Sequence, residues 1–232
     1  MREENTFEDP VLAEEWIQAV ETEVGGSRDR EIYPMLSEWS KQLAPSFLVE
    51  IGSGQGVCSS KVHVGNGKYV GIEPSSALVQ RAKELYREPY KEFLVGNAYA
   101  IPLGDAVADA AFSVGVWFHL KDLDAAHKEL ARIMKPGGNL LIITSNPTMH
   151  NLWESWFEKP VKEGNRIEGR IWVPSGILSR NIFYLHSEKD IADSLSRSGF
   201  SVTSVTKFGF GREGREVVGD EGVWMAMSAT KS

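Results

Sequence analysis

The chain has one cysteine, Cys58, in 232 residues, which excludes an intrachain disulfide and fits a reducing compartment. It has no surplus of positive charge. Its formal net charge of −7 and the lack of any basic run disfavour nucleic acid as a partner. No apolar run reaches membrane-spanning length, and MREENTFEDP has no apolar centre for a signal peptide. The expectation is a cytoplasmic protein with no membrane span. No cysteine and histidine set has zinc-ligand spacing, so no metal is expected. Repeats and low-complexity tracts are also missing. A hydrophobic share of 42% over this length suits one α/β domain.

What the chain does have is Phe47–Val57, FLVEIGSGQGV. Apolar β-formers run into Gly52, Gly54 and Gly56 on alternate positions. This spells a buried strand ending in a tight turn, where a ligand can lie against bare backbone and the start of a helix. A second apolar run, YVGIE, ends at Glu73. A carboxylate at the tip of the second strand of such a unit is placed to accept hydrogen bonds from ribose hydroxyls. A tight turn in an α/β protein with nothing bound stays open as the alternative.

The glycine spacing separates two cofactor classes. A dinucleotide fingerprint, G-x-G-x-x-G, needs glycine where this chain has Val57. The chain reads G-x-G-x-G instead, with Glu50 two residues ahead, and here it resembles the class I S-adenosylmethionine-dependent methyltransferases. LARIMKPGGNLLI strengthens that, being similar to the helix-to-strand signature of their small-molecule branch. The resemblance implies an α/β fold: a doubly wound, seven-stranded, mostly parallel (Rossmann-like) sheet. It further implies that Glu50 and the loop Gly52, Ser53, Gly54, Gln55 and Gly56 hold the methionyl end of S-adenosyl-L-methionine. Glu73 with Pro74 would take the ribose, and Asn97 with Ala98 the adenine. Asn97 stands where the family commonly has an acid; its side-chain carbonyl can still accept from the adenine amine.

Around this centre the pattern predicts helices over Asp9–Glu23 and Asp29–Leu43, an N-terminal cover in which Trp16 and Trp39 read as core residues. A short helix, VCSSKVHV, is expected after Gly56. Cys58 there reads as small and buried, not as a nucleophile. Ala77–Tyr86 and Leu123–Met134 read as helices, and Glu92–Val95, Ala108–Val116 and Asn139–Thr144 as strands. The strand ending at Val116 should lie beside the first, at the topological switch point. Residues Gly115–His119 would then line the site, and the resemblance implies that Gly115 and Val116 face the cofactor and Trp117 and His119 the acceptor. His119 is the candidate catalytic residue; a base, a substrate-lining residue and a packing residue all remain open there. The chain has neither an [N/D]-P-P-[Y/F] string at this strand end nor a carboxylate cluster for Mg²⁺.

From 146 to 186 aromatics interleave with Lys159, Lys162, Arg166, Arg170 and Arg180. The resemblance implies that this segment is an insert after the fifth strand that lids the acceptor pocket. Trp153, Trp172 and Tyr184 are the candidate walls, with cations available for an acidic acceptor. The same aromatics could instead form a homodimer interface. A capped helix from Ser187 and strands Phe200–Lys207 and Val223–Ala229 finish one domain, 1–232, in four parts: helices 1–45, cofactor-binding core 46–145, substrate lid 146–186, and C-terminal helix and strand pair 187–232. The expected activity is methyl transfer to an oxygen, nitrogen or carbon of a small-molecule acceptor. A protein or RNA methyltransferase and a non-catalytic S-adenosylmethionine-binding module are the alternatives.

Overall fold

The computed structural model describes residues 7, 9–22, 28–172, 178–210, 216–218 and 220–232. The N-terminal cover is helix α1 (Pro10–Thr22), then a single wide turn, Arg28–Ile32, that runs into α2 (Tyr33–Leu43). Asp9 starts α1 by accepting the Val11 N–H at 2.8 Å. Strand β1 (Phe47–Ile51), β2 (Lys68–Glu73), α3 (Ser76–Leu85), β3 (Lys91–Val95), β4 (Ala108–Val114), α4 (Leu123–Ile133) and β5 (Met134–Ser145) follow in turn. Then come α5 (His150–Ser155) and β6 (Phe157–Glu163), β7 (Arg166–Trp172) and β8 (Leu178–Tyr184). The chain closes with α6 (Glu188–Arg197), β9 (Phe200–Phe210), β10 (Glu216–Val218) and β11 (Trp224–Lys231).

The main sheet has the order β10-β9-β11-β5-β4-β1-β2-β3. Strands β1 to β5 are parallel, and β11 is inserted antiparallel between β5 and β9. These seven strands are the expected doubly wound sheet, with three-residue β10 added at the edge. Alternation along β1 explains the two faces. Val49 and Ile51 pack with α4 and α6 on one side, while Leu48 packs with α2 and α3 on the other. Because β1 pairs with both β2 and β4, the chain reverses its winding there and opens a crevice at their carboxyl ends.

Two local expectations change, and the insert gains strands. After Gly56 the chain makes only a tight turn, Val57–Ser60, and no longer helix. Ser60 bonds back to the Val57 carbonyl at 2.9 Å, and the His63 N–H is drawn to Ser40 Oγ at 2.9 Å, so the backbone leaves the helical path. The ProGlyGly string does not precede β5 but bulges within its start. Met134 pairs with Ala108 and Asn139 with Ala110, and Gly137 takes a φ of 77°. The insert, for which the sequence reading named no strands, holds β6, β7 and β8 as a separate antiparallel sheet. Its root is pinned by Asn146, whose amide donates to the Gly222 carbonyl at 2.6 Å and the Asp220 carbonyl at 3.1 Å.

Glu50 is the first correction to the expected site. Alternation puts it on the α2/α3 side with Leu48, away from the crevice. There it is 2% exposed and accepts from the Tyr69 hydroxyl. Burial pushes its carboxyl up to about 8, against the Tyr69 and Cys58 hydrogen bonds that favour the charge. Glu50 is therefore a neutral core acid at pH 7, not a ligand for the methionyl end. A folded-state value above the unfolded one gives stability that is complete below about pH 4.5 and is lost as pH rises through about 8. The Glu50→Gln variant keeps an acceptor for Tyr69 and cannot ionise. Its thermal midpoint should match the wild type at about pH 5 and exceed it at about pH 9, read by calorimetry at the two pH values; equal alkaline losses would show that Glu50 is already charged in the fold.

Candidate functional site

The crevice at the ends of β1, β2 and β4 opens into one cavity of about 1530 Å³, larger than the roughly 300–1,000 Å³ typical of a single small-molecule site. Its floor is the glycine turn. Gly52 has a φ of 73°, and a Cβ there would sit 2.2 Å from Val116 Cγ2, so β4 and the turn approach as closely as bare backbone allows. The Gly52 and Ser53 N–H groups both donate to the Ile72 carbonyl, at 2.7 and 3.0 Å, which fixes the turn to β2. Above Gly54 lies open space: a Cβ would meet only Trp16 Nε1, at 3.9 Å.

Glu73 stands at the tip of β2 with 5% of its surface exposed. One oxygen accepts the Gly54 N–H at 3.1 Å and the other the Ser75 N–H at 2.9 Å. Each oxygen has a second lone pair to offer, so the carboxylate can still take two hydroxyls from the cavity. Burial pushes its pKa up to about 7, opposed by the two N–H bonds. Asn97 lines the cavity beyond it, its side-chain oxygen accepting the Tyr99 N–H at 2.9 Å, beside buried Ala98. An open patch over Gly54, a buried acid with spare acceptor capacity and an amide further along fit an adenosine with a small polar tail.

Past Val116 a three-residue turn, Trp117–His119, sends each side chain a different way. Trp117 is 1% exposed and donates its indole N–H to His127 Nε2 at 2.8 Å, so it belongs to the core and does not line the cavity. His127 in turn bonds Ser194 Oγ at 2.7 Å. Phe118 enters the insert's apolar cluster with Trp153, Phe157, Ile167 and Phe183. His119 faces the cavity, its Nδ1 lying 3.1 Å from the Ile182 carbonyl of β8. Since a carbonyl only accepts, Nδ1 carries the proton and Nε2 keeps a lone pair. Burial holds the pKa of His119 down to about 4.

Of the residues singled out in the sequence, the cavity brings together Gly52, Gly54, Glu73, Pro74, Asn97, Ala98, Gly115, Val116, His119, Trp153 and Tyr184. Ser53, Gln55 and Gly56 support the turn from beneath. Gln55 reaches the Ile17 carbonyl of α1 at 3.4 Å, and a Cβ on Gly56 would strike Phe93 at 2.8 Å. Trp172 ends β7, but its side chain lies outside the described residues. Sequence reading missed Trp16 as a wall, having placed it in the core, and missed Asn181, Phe210 and Trp224. Of the cations expected to face an acidic acceptor, only Arg166 lines the cavity, and it is already ion-paired. Lys162 pairs with Glu154, and Arg166 and Arg180 share Glu168. Among the described residues, no group of three or more His, Cys, Asp or Glu could hold a metal ion, and no helix is long and apolar enough to cross a membrane.

Residues 49–142 match the family model for a methyltransferase domain. The chain is similar to a tRNA (carboxymethyluridine(34)-5-O)-methyltransferase of Arabidopsis thaliana, 32% identical over 46% of this chain and 27% of that one. A demethylmenaquinone methyltransferase of Lactococcus lactis is 29% identical over 63% of this chain and 61% of the relative. The chain thus spans less than two thirds of either relative. A solved S-adenosylmethionine-dependent methyltransferase of Thermotoga maritima has the same fold, with a TM-score of 0.66, 24% identity and 98% of both chains covered. Glycine turn, buried acid and strand order agree with that match: residues 49–142 are a methyltransferase domain, and the chain around them builds the class I S-adenosylmethionine-dependent methyltransferase fold.

Proposed function

We propose that the chain transfers a methyl group from S-adenosylmethionine to an oxygen, nitrogen or carbon of a small-molecule acceptor. One observation carries the small-molecule reading. The cavity runs from the cofactor turn at Gly52–Gly54 into a chamber roofed by the insert and walled by Phe118, Trp153, Phe183, Tyr184 and Trp224. A roofed aromatic chamber suits a compact acceptor, and the pairing of the insert's cations with its own acids leaves little for a phosphate backbone to neutralise. The similarity to a tRNA methyltransferase therefore supports the cofactor half more than the acceptor half.

When bound, S-adenosylmethionine supplies an electrophilic methyl group on a sulfonium. Glu73 would hold the ribose hydroxyls, Asn97 and Ala98 the adenine, and the Gly52–Gly54 backbone with Gly115 and Val116 the methionyl end. The chain's own contribution is alignment and exclusion of water, and well-oriented bound partners can gain about 7–11 kcal/mol that way. His119 is neutral at pH 7, with Nε2 free to accept the acceptor's O–H or N–H. A pKa near 4 makes it a weak proton store, so it acts chiefly by orienting the nucleophile's lone pair.

Three measurements test this. Ribose hydroxyls favour ionised Glu73, which in the free protein titrates near 7, so affinity for S-adenosylmethionine should fall by up to about tenfold per pH unit below that point. Calorimetric titration of wild type and Glu73→Gln should find weaker binding in the variant and a flat pH dependence; a variant with wild-type affinity removes Glu73 from the ribose. In a screen of small molecules and tRNA with labelled S-adenosylmethionine, label should pass to a small molecule. With the acceptor so found, His119→Ala should lower kcat about tenfold while cofactor affinity holds. Equal loss of both would assign His119 to packing.

A further inference from the structure

The insert sheet has two unlike faces. Along β7 and β8, Glu168, Arg170 and Arg180 point outward, while Ile167, Ile171, Asn181 and Phe183 are buried on the inner side. Asn181 is thus a polar residue on an apolar face. It is 5% exposed and lines the cavity. Directly across the ladder its partner is Gly169, which has no side chain. Its same-face neighbours Ile167, Ile171 and Phe183 offer no hydrogen-bonding group. The Asn181 side chain makes no hydrogen bond to any described residue, although buried amides are almost always paired. Trp224 repeats the pattern across the chamber: it lines the same cavity, and its indole N–H is buried without a partner among the described residues.

We propose that Asn181 is a specificity-determining residue of the acceptor chamber, its amide holding the distal polar group of a neutral, flat, aromatic acceptor. This rests on the reading of the chamber as the acceptor site. The amide offers a donor and an acceptor side by side, which suits a carbonyl, carboxamide or hydroxyl. The ring system lies among Phe118, Trp153, Phe183 and Trp224. The described residues of the inner face carry no charge, and Arg166, the insert cation that lines the cavity, is already paired with Glu168, so a carboxylate or ammonium pressed against that face would be desolvated without a free counter-ion. A hydroxyl at the other end of the ring would reach His119, where the methyl group is received.

The test uses the full chain as wild type and as Asn181→Leu. An apolar side chain of similar size replaces an amide with no partner, so ligand-free Asn181→Leu should unfold at the wild-type midpoint or about 2–4 °C above it. A clear drop would show that the fold itself uses the amide and would overturn the proposal. Quenching of the chamber tryptophans then reports three probes, with and without S-adenosylhomocysteine: 6-hydroxy-2-naphthamide, 2-naphthol and 6-hydroxy-2-naphthoate. The wild type should bind the naphthamide at least about tenfold more tightly than the other two, and Asn181→Leu should lose its preference over 2-naphthol. A preference for the anion, or one that survives the substitution, overturns the assignment. Asn181→Ala, which cannot overpack, carries the binding comparison if the leucine variant does not fold. A wild type that binds the naphthamide but not S-adenosylhomocysteine would remove the cofactor reading and leave the Asn181 comparison standing.

Discussion

The Gly54 N–H donates to Glu73 across neighbouring strand tips, and the site is built around that bond. It ties the turn after β1 to the end of β2, so the bare backbone at the floor of the crevice and the buried acid beside it are set by one contact. The bond requires a backbone of positive φ at Gly52 and Gly54, which only glycine adopts without strain. It also requires Val116 to close on Gly52 without a Cβ between them. Once β1, β2 and β4 are held in this way, the crevice keeps Glu73 and His119 largely out of water.

Loss of water then acts on acid and base in opposite senses. It raises Glu73 to about 7 and lowers His119 to about 4. A buried carboxyl near its titration point can accept a ligand's hydroxyls and gain its charge in doing so. A buried imidazole that stays neutral keeps a lone pair without attracting a proton from solvent. His119 adds stability that is full above about pH 6.5 and fades as pH falls toward 4, whereas the buried acids lose theirs as pH rises. The fold is therefore squeezed from both sides of neutrality, and both limits have the same origin.

How much of this was legible in the sequence depended on whether backbone or side-chain partners decide the placement. Gly52, Gly54, Glu73 and the strand order could be read because backbone geometry imposes them at fixed spacing. Glu50 was placed on the wrong face although the period of β1 already set it beside Leu48; motif membership outweighed alternation. Trp117 could not be placed, since it turns inward only because His127, on another element, meets its indole N–H. The insert hid its strands behind cross-strand pairs. Arg166, Glu168 and Arg180 look like scattered charges in sequence and become one ion-paired cluster only when β7 and β8 are side by side. Asn181 did carry a signal, a polar residue in step with Phe183, but it is visible only once LSRNIFY is read with a period of two.

The two halves of the site differ in what fixes them. The cofactor half is made of main chain shared with the central sheet, so a change there disturbs the core. The insert is a separate sheet, with its charges paired among themselves and its apolar side chains clustered with Phe118, Val223 and Trp224 of the rest of the chain. It meets the cofactor half through few polar contacts, among them the Ile182 carbonyl on His119 and His186 Nε2, 2.6 Å from the Leu120 carbonyl. Those two bonds bracket the turn that points His119 at the chamber. Inner-face residues such as Asn181 can therefore be exchanged without loosening the turn or the glycine loop, so on the proposed reading acceptor choice can vary in the insert while the methyl donor's seat stays the same.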